Sequence, residues 1–111
     1  MSGSSGGGGG GGNEPPNSSC ESLVFETLLS SPKPNVIAQL GVGTILSVGT
    51  QQSGGVTVVV VLHQGQVAGG LASPQVARLR ECIAQGTQYE ARVLSISNGQ
   101  VRVRVKAVGV P

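Results

Sequence analysis

Asn98-Gly99, set between two runs that alternate apolar and polar residues, constrains this chain more than any other feature. Asn-Gly is the residue pair best suited to a two-residue type I′ turn, because both central positions need positive φ. The turn predicts a hairpin of two strands, residues 88–97 and 100–108, and fixes their register. Ile96 then stands opposite Val101, Leu94 opposite Val103 and Arg92 opposite Val105 on one side. Ser95 with Arg102, Val93 with Arg104, Ala91 with Lys106 and Tyr89 with Val108 occupy the other. The first side is expected to face a core, with Arg92 and Glu90 at its edge, and the second to face solvent.

The rest of the chain also reads as strands. It contains 17 valines, one Phe (Phe25), one Tyr (Tyr89) and no Trp. β-branched side chains lose entropy in helices and suit a pleated, half-buried surface. Strands are predicted over residues 23–29, 44–50, 56–62 and 66–71, with one or two helical turns over 35–40. Residues 51–55 read as a hairpin loop and Gln64-Gly65 as a tight turn. Gly69-Gly70 inside a strand suggests a bulge or a close backbone contact. A helix over 74–85 is marked by Ser73 as N-cap, Pro74 at its first position and Gly86 past its end. Val76, Leu79, Cys82 and Ile83 share one face of it. The expected fold is mainly β with one well-formed helix (α+β). It is a small barrel or strongly curved sheet of about six strands, in the order β-α-β-β-β-α-β-β.

Residues 1–21 stand outside that fold. They include the glycine run Gly6–Gly12 and Pro15-Pro16, and they hold too little apolar area to offset the entropy of ordering. Their opening Met-Ser-Gly-Ser-Ser-Gly matches the linker left by an expression tag. The expected division is a disordered Gly/Ser/Pro-rich tail, 1–21, and a single β-rich domain, 22–108. The cysteines fall on either side of this boundary, Cys20 in the tail and Cys82 on the helix face, so no disulfide is expected. The longest apolar run, Val58 to Leu62, is far too short to span a bilayer, and no secretory apolar region is present. The expected setting is a reduced cytoplasm with no membrane association.

Catalysis finds no support. His63 is the sole histidine and the chain has no aspartate, so neither a triad nor a metal site can be assembled around it. Glu81 and Glu90 read as counterions to neighbouring arginines. Cys82 reads as a small packed hydrophobe. The Gly41-Val42-Gly43 and Gly69-Gly70 pairs lack the Lys-Ser/Thr of a phosphate loop. No cofactor or metal is expected, and the chain does not read as an enzyme.

Charge is what remains. Charged residues make up 11% of the chain, well below the usual ~25%. They are unevenly placed: residues 1–77 carry three glutamates and one lysine, and residues 78–111 carry six cations and two glutamates. Arg102, Arg104 and Lys106 alternate along one strand, which spaces them by about 6.6–6.8 Å on one face. That repeat is close to the spacing of phosphates along an extended single strand. Tyr89, on the same predicted face, is placed to stack a base, and Arg92 and Arg78 to extend the positive field. The plainer reading is a solvated strand whose cations deter edge-to-edge aggregation. The expected function is a non-catalytic module that binds single-stranded nucleic acid or another anion. The alternative is a protein-interaction or self-assembly domain, with a protein partner or a homodimer.

From Gly65 onward the order Gly-Gln-Val-Ala-Gly-Gly-Leu, a helix with Ala77, Leu79 and Ile83, Gln-Gly-Thr, an Ala-Arg-Val strand and a last hairpin resembles HIRAN domains. The resemblance covers the C-terminal half. It implies a small β-barrel with one helix, of a kind that in some members binds single-stranded DNA ends. The family's Arg-Glu and Asn-Pro-x-Asp stretch has no counterpart between Ile45 and Leu62, and Gly70 stands where the family has an aromatic. The resemblance therefore transfers no DNA-contacting residue.

Overall fold

The computed structural model describes residues 20–109. The elements are β1 (Phe25–Ser30), α1 (Pro34–Ile37), β2 (Ile45–Ser53), β3 (Val56–His63), β4 (Gln66–Leu71), α2 (Val76–Ala84), β5 (Tyr89–Ser97) and β6 (Gln100–Ala107). This is the expected order of six strands and two helices. The strands form one closed antiparallel barrel in the order β1-β4-β3-β2-β5-β6. The seam is made by the most distant strands in the chain, with Phe25 opposite Val105 and Leu28 opposite Arg102.

Three of the strand connections are two-residue turns. At Gly54-Gly55, Gln64-Gly65 and Asn98-Gly99 both central residues have positive φ, between 52° and 82°. The predicted loop over 51–55 is thus too long. Gly54-Gly55 suffices for the turn, and Gln51, Gln52 and Ser53 continue β2 in register with Val58, Thr57 and Val56. Gly69-Gly70 does mark an irregularity and a close approach. The β3–β4 register shifts between Val61 and Leu62, which leaves Ala68 without a directly opposed residue. A Cβ on Gly69 would stand 3.1 Å from the Ser30 carbonyl oxygen.

The interior is filled by the inward-pointing residues of every strand, among them Leu46, Val59, Val61, Val93, Val101, Val103 and Val105. The helices add Val36 and Ile37 from α1, and Leu79 and Cys82 from α2. α2 begins two residues later than expected, with Ser73 and Pro74 forming a preceding turn. The Ser73 hydroxyl accepts from the Gln75 amide at 3.2 Å. Its end is as expected. Gly86 takes φ +103°, its amide donates to the Ile83 carbonyl, and the Thr87 amide donates to the Cys82 carbonyl. That pair of bonds is the Schellman arrangement, which satisfies carbonyls the helix leaves open.

The largest correction concerns the cysteines. Cys20 and Cys82 are joined in a disulfide, and both are fully buried. Cys20 and Glu21, placed by the sequence in the tail, are among the described residues. The rest of the expected tail lies outside the described residues. Spacing in the sequence could not show this pairing, because the barrel's closure brings together residues 62 apart. No helix among the described residues is long and apolar enough to cross a membrane.

Opening a loop of this length releases the unfolded chain from a constraint, so losing the bond is expected to cost about 2–4 kcal/mol. For a domain of this size that is a fall in Tm of roughly 10–20 °C. Thermal melts of the chain with and without reductant, and of the C20S/C82S double variant, measure it. An unchanged melt would show that the link adds nothing to the fold.

Candidate anion-binding face

The face expected to carry function is rebuilt by one irregularity in β5. Near the turn the predicted register holds: Ile96 pairs with Val101 and Ser95 with Arg102. The register then shifts between Val93 and Ser95, so Val93 pairs with Val103, Arg92 with Arg104, Ala91 with Val105, Glu90 with Lys106 and Tyr89 with Ala107. Leu94 is the extra residue. A bulge of this kind inverts which side chains point inward on the stretch beyond it.

Two assignments change as a result. Tyr89 does not join the basic face: it points into the core, 3% exposed, and its hydroxyl donates to the Cys20 carbonyl at 2.5 Å. It cannot stack a base there. Burial pushes the phenol above its ordinary value of 10.0, and the Arg78 guanidinium offsets this in part. Arg92 moves the opposite way. Expected at the edge of the core, it lies exposed on the outer surface directly across from Arg104.

The outer face now carries a connected group of cations. Arg92, Arg104 and Lys106, with Val24, line a shallow cleft of about 290 Å³. Arg102 continues the row along β6, between Ser95 on one side and Leu28 on the other. Two carboxylates stand nearby in register, Glu26 opposite Arg104 and Glu90 opposite Lys106. Neither makes an ion pair with these cations. Among the described residues the ion pair present is Arg78 with Glu81 at 3.7 Å on α2. Arg78 does not line the cleft. Glu26 and Val24 were not singled out by sequence reasoning, because only the β1–β6 seam brings them beside the stripe.

Other concavities offer less chemistry. One, about 580 Å³, runs between β2, the end of α2 and the start of β5. Its walls mix Ile45, Ile83 and Val108 with Ser47, Thr87 and Gln88, and Glu90 is the one ionisable group there besides Tyr89. His63 is half-buried at the end of β3, across from Gln66. Among the described residues no three His, Cys, Asp or Glu side chains converge as metal ligands would. No protein family, curated protein or solved structure matches the chain.

The buried phenol makes a prediction with a definite sign. Its folded-state pKa is raised, so above pH 10 the unfolded chain ionises first. The associated stability is intact below pH 10 and is lost as pH rises through the folded value. The Y89F variant is expected to lose about 1 kcal/mol at neutral pH with its hydrogen bond to Cys20. It should also lose less stability than the native chain above pH 10. Denaturant titrations across that range check both points, and parallel pH curves would contradict the buried phenol.

Proposed function

We propose that this domain is a non-catalytic β-barrel module that binds an extended polyanion, single-stranded nucleic acid, across the outer face of β5 and β6. The observation that carries the reading is the Arg92–Arg104 pair. Like charges directly opposite on neighbouring strands destabilise a sheet, and among the described residues no carboxylate forms an ion pair with either one. An anion bridging the two guanidiniums removes that repulsion and uses their planar, multi-donor geometry. Lys106 and Arg102 extend the row in the two directions along β6, at a repeat that suits successive phosphates.

Binding of this kind draws on the phosphate backbone and not on base edges, so it should be salt-sensitive and weakly selective for sequence. With the burial of Tyr89, no aromatic side chain supports base stacking on this face. The likeness of the C-terminal half to HIRAN domains supports the barrel more than the activity. The disulfide argues for an oxidising setting over the cytoplasm expected from the sequence, since such bonds persist where thiols are not kept reduced. Labelling of free thiols in protein taken directly from cells tests that point: reactive Cys20 and Cys82 would return the domain to a reducing compartment.

R92E is the informative variant. It converts a like-charge pair into an opposite-charge one, so the barrel should become more stable by about 0.2–1 kcal/mol. At the same time affinity for a single-stranded oligonucleotide should fall at low salt. The salt dependence should also flatten, by about 0.7 in the slope of log affinity against log salt for each phosphate that the variant no longer neutralises. R92E/R104E should abolish binding. Equal affinity for wild type and the double variant would sink the proposal.

A further inference from the structure

We infer that the unpaired edge of β2 is an interface between two copies of this chain, made by antiparallel pairing of the strand with itself about a twofold axis at Gln51. The inference does not rest on the basic face, which lies on other strands. β2 pairs with β5 only at Ile45, Leu46 and Ser47, although it runs on with β3 as far as Ser53. Past the point where β5 leaves it, one edge of β2 has no strand beside it among the described residues.

The turn geometry tells which backbone groups this edge presents. Ser53 and Val56 flank the two-residue turn, so their backbone groups bond to each other, and bonded and non-bonded pairs then alternate down the ribbon. Gln51 and Gly49 point their amides and carbonyls toward β3, whereas Thr50 and Gln52 point theirs away. Two hydrogen bonds agree with this parity. The Thr44 carbonyl accepts from the Val93 amide of β5 at 2.9 Å, as even-numbered positions of β2 should. Thr57, opposite Gln52, has its carbonyl turned away from β2, where the Arg80 guanidinium of α2 reaches it at 3.3 Å.

The ribbon is therefore treated differently on its two sides. α2 covers the β3 edge through Arg80, while Thr50 and Gln52 are exposed. Natural edge strands are commonly defended by charge, proline, a bulge or a covering element. From Ile45 to Leu62 there is no charged residue and no proline, and the β2–β3 register is unbroken. The partner that fits is thus a neutral extended strand with its donors and acceptors at the same spacing. This chain carries one. With Gln51 facing the partner's Gln51, Thr50 pairs with the partner's Gln52, and Gln52 with the partner's Thr50. Every free amide and carbonyl of those residues is then satisfied on both copies. The two Gln51 side chains, on the outer face of a non-bonded pair, sit about 4.5 Å apart at their Cα atoms.

Charge at the axis supplies the test. The native chain should show a reversible monomer–dimer equilibrium by sedimentation over a wide concentration range. Q51K and Q51E should each remain monomeric over that range with unchanged melts, because each places two like charges on the axis. Their equimolar mixture should regain a heterodimer. Amide exchange at Thr50 and Gln52 in the native chain should slow with increasing concentration, a readout that needs no variant. A native chain monomeric throughout, or a Q51K that dimerises as the native chain does, overturns the inference. So does protection of these amides that is independent of concentration, which would mean that residues 1–19 of the same chain cover the edge.

Discussion

Four side chains on β6, Val101, Val103, Val105 and Ala107, are shut away from water almost completely, and both neighbouring strands must conform to them. β1 lies against this strand on one side and β5 on the other. A strand with strict alternation and one fully apolar face has little freedom to slip, since a shift by one residue would turn its cations into the barrel. β6 thus fixes where β1 closes the sheet and where β5 must break its own register. The outward residues of the same strand, Arg102, Arg104 and Lys106, acquire their position from the burial of the others. The candidate binding face and the core are two sides of a single pattern.

The bulge in β5 follows from that constraint. Its apolar residues fall at odd positions from Tyr89 to Val93, then at even positions at Leu94 and Ile96. No regular strand can bury both sets against the unbroken alternation of β6. One extra residue at Leu94 lets both sets meet the same partner face. The change of phase is present in the sequence. It stays hidden when register is carried outward from the turn, because turn chemistry specifies only the nearest pairs. The consequence for the candidate face is large relative to one inserted residue: it takes Tyr89 out of reach of solvent and sets Arg92 against Arg104.

The disulfide and the Tyr89 hydroxyl bind the segment before β1 to the same end of the barrel. Cys20 is joined to α2 through its sulfur and to β5 through its carbonyl, so that segment is held at two points. A barrel of this size buries a modest share of its surface, and cross-links of this kind compensate for a small core. The sequence offers no sign of the pairing, since Cys20 follows a run of residues with every mark of a linker.

Local chemistry in the sequence determined the six strands, the helix before the last hairpin, the Asn98-Gly99 turn and the polar outer row of β6. Each depends on the preferences of a few adjacent residues: positive φ at Gly, alternation of valine with charge, and glycine past the end of α2. Tertiary structure alone decided the closing seam between β1 and β6, the pairing of Cys20 with Cys82, the inversion of β5 and the end of the β2–β5 pairing at Ser47. These depend on which strand lies beside which. That choice is governed by the total apolar surface that closing the barrel removes from water, and no short window of the chain contains it.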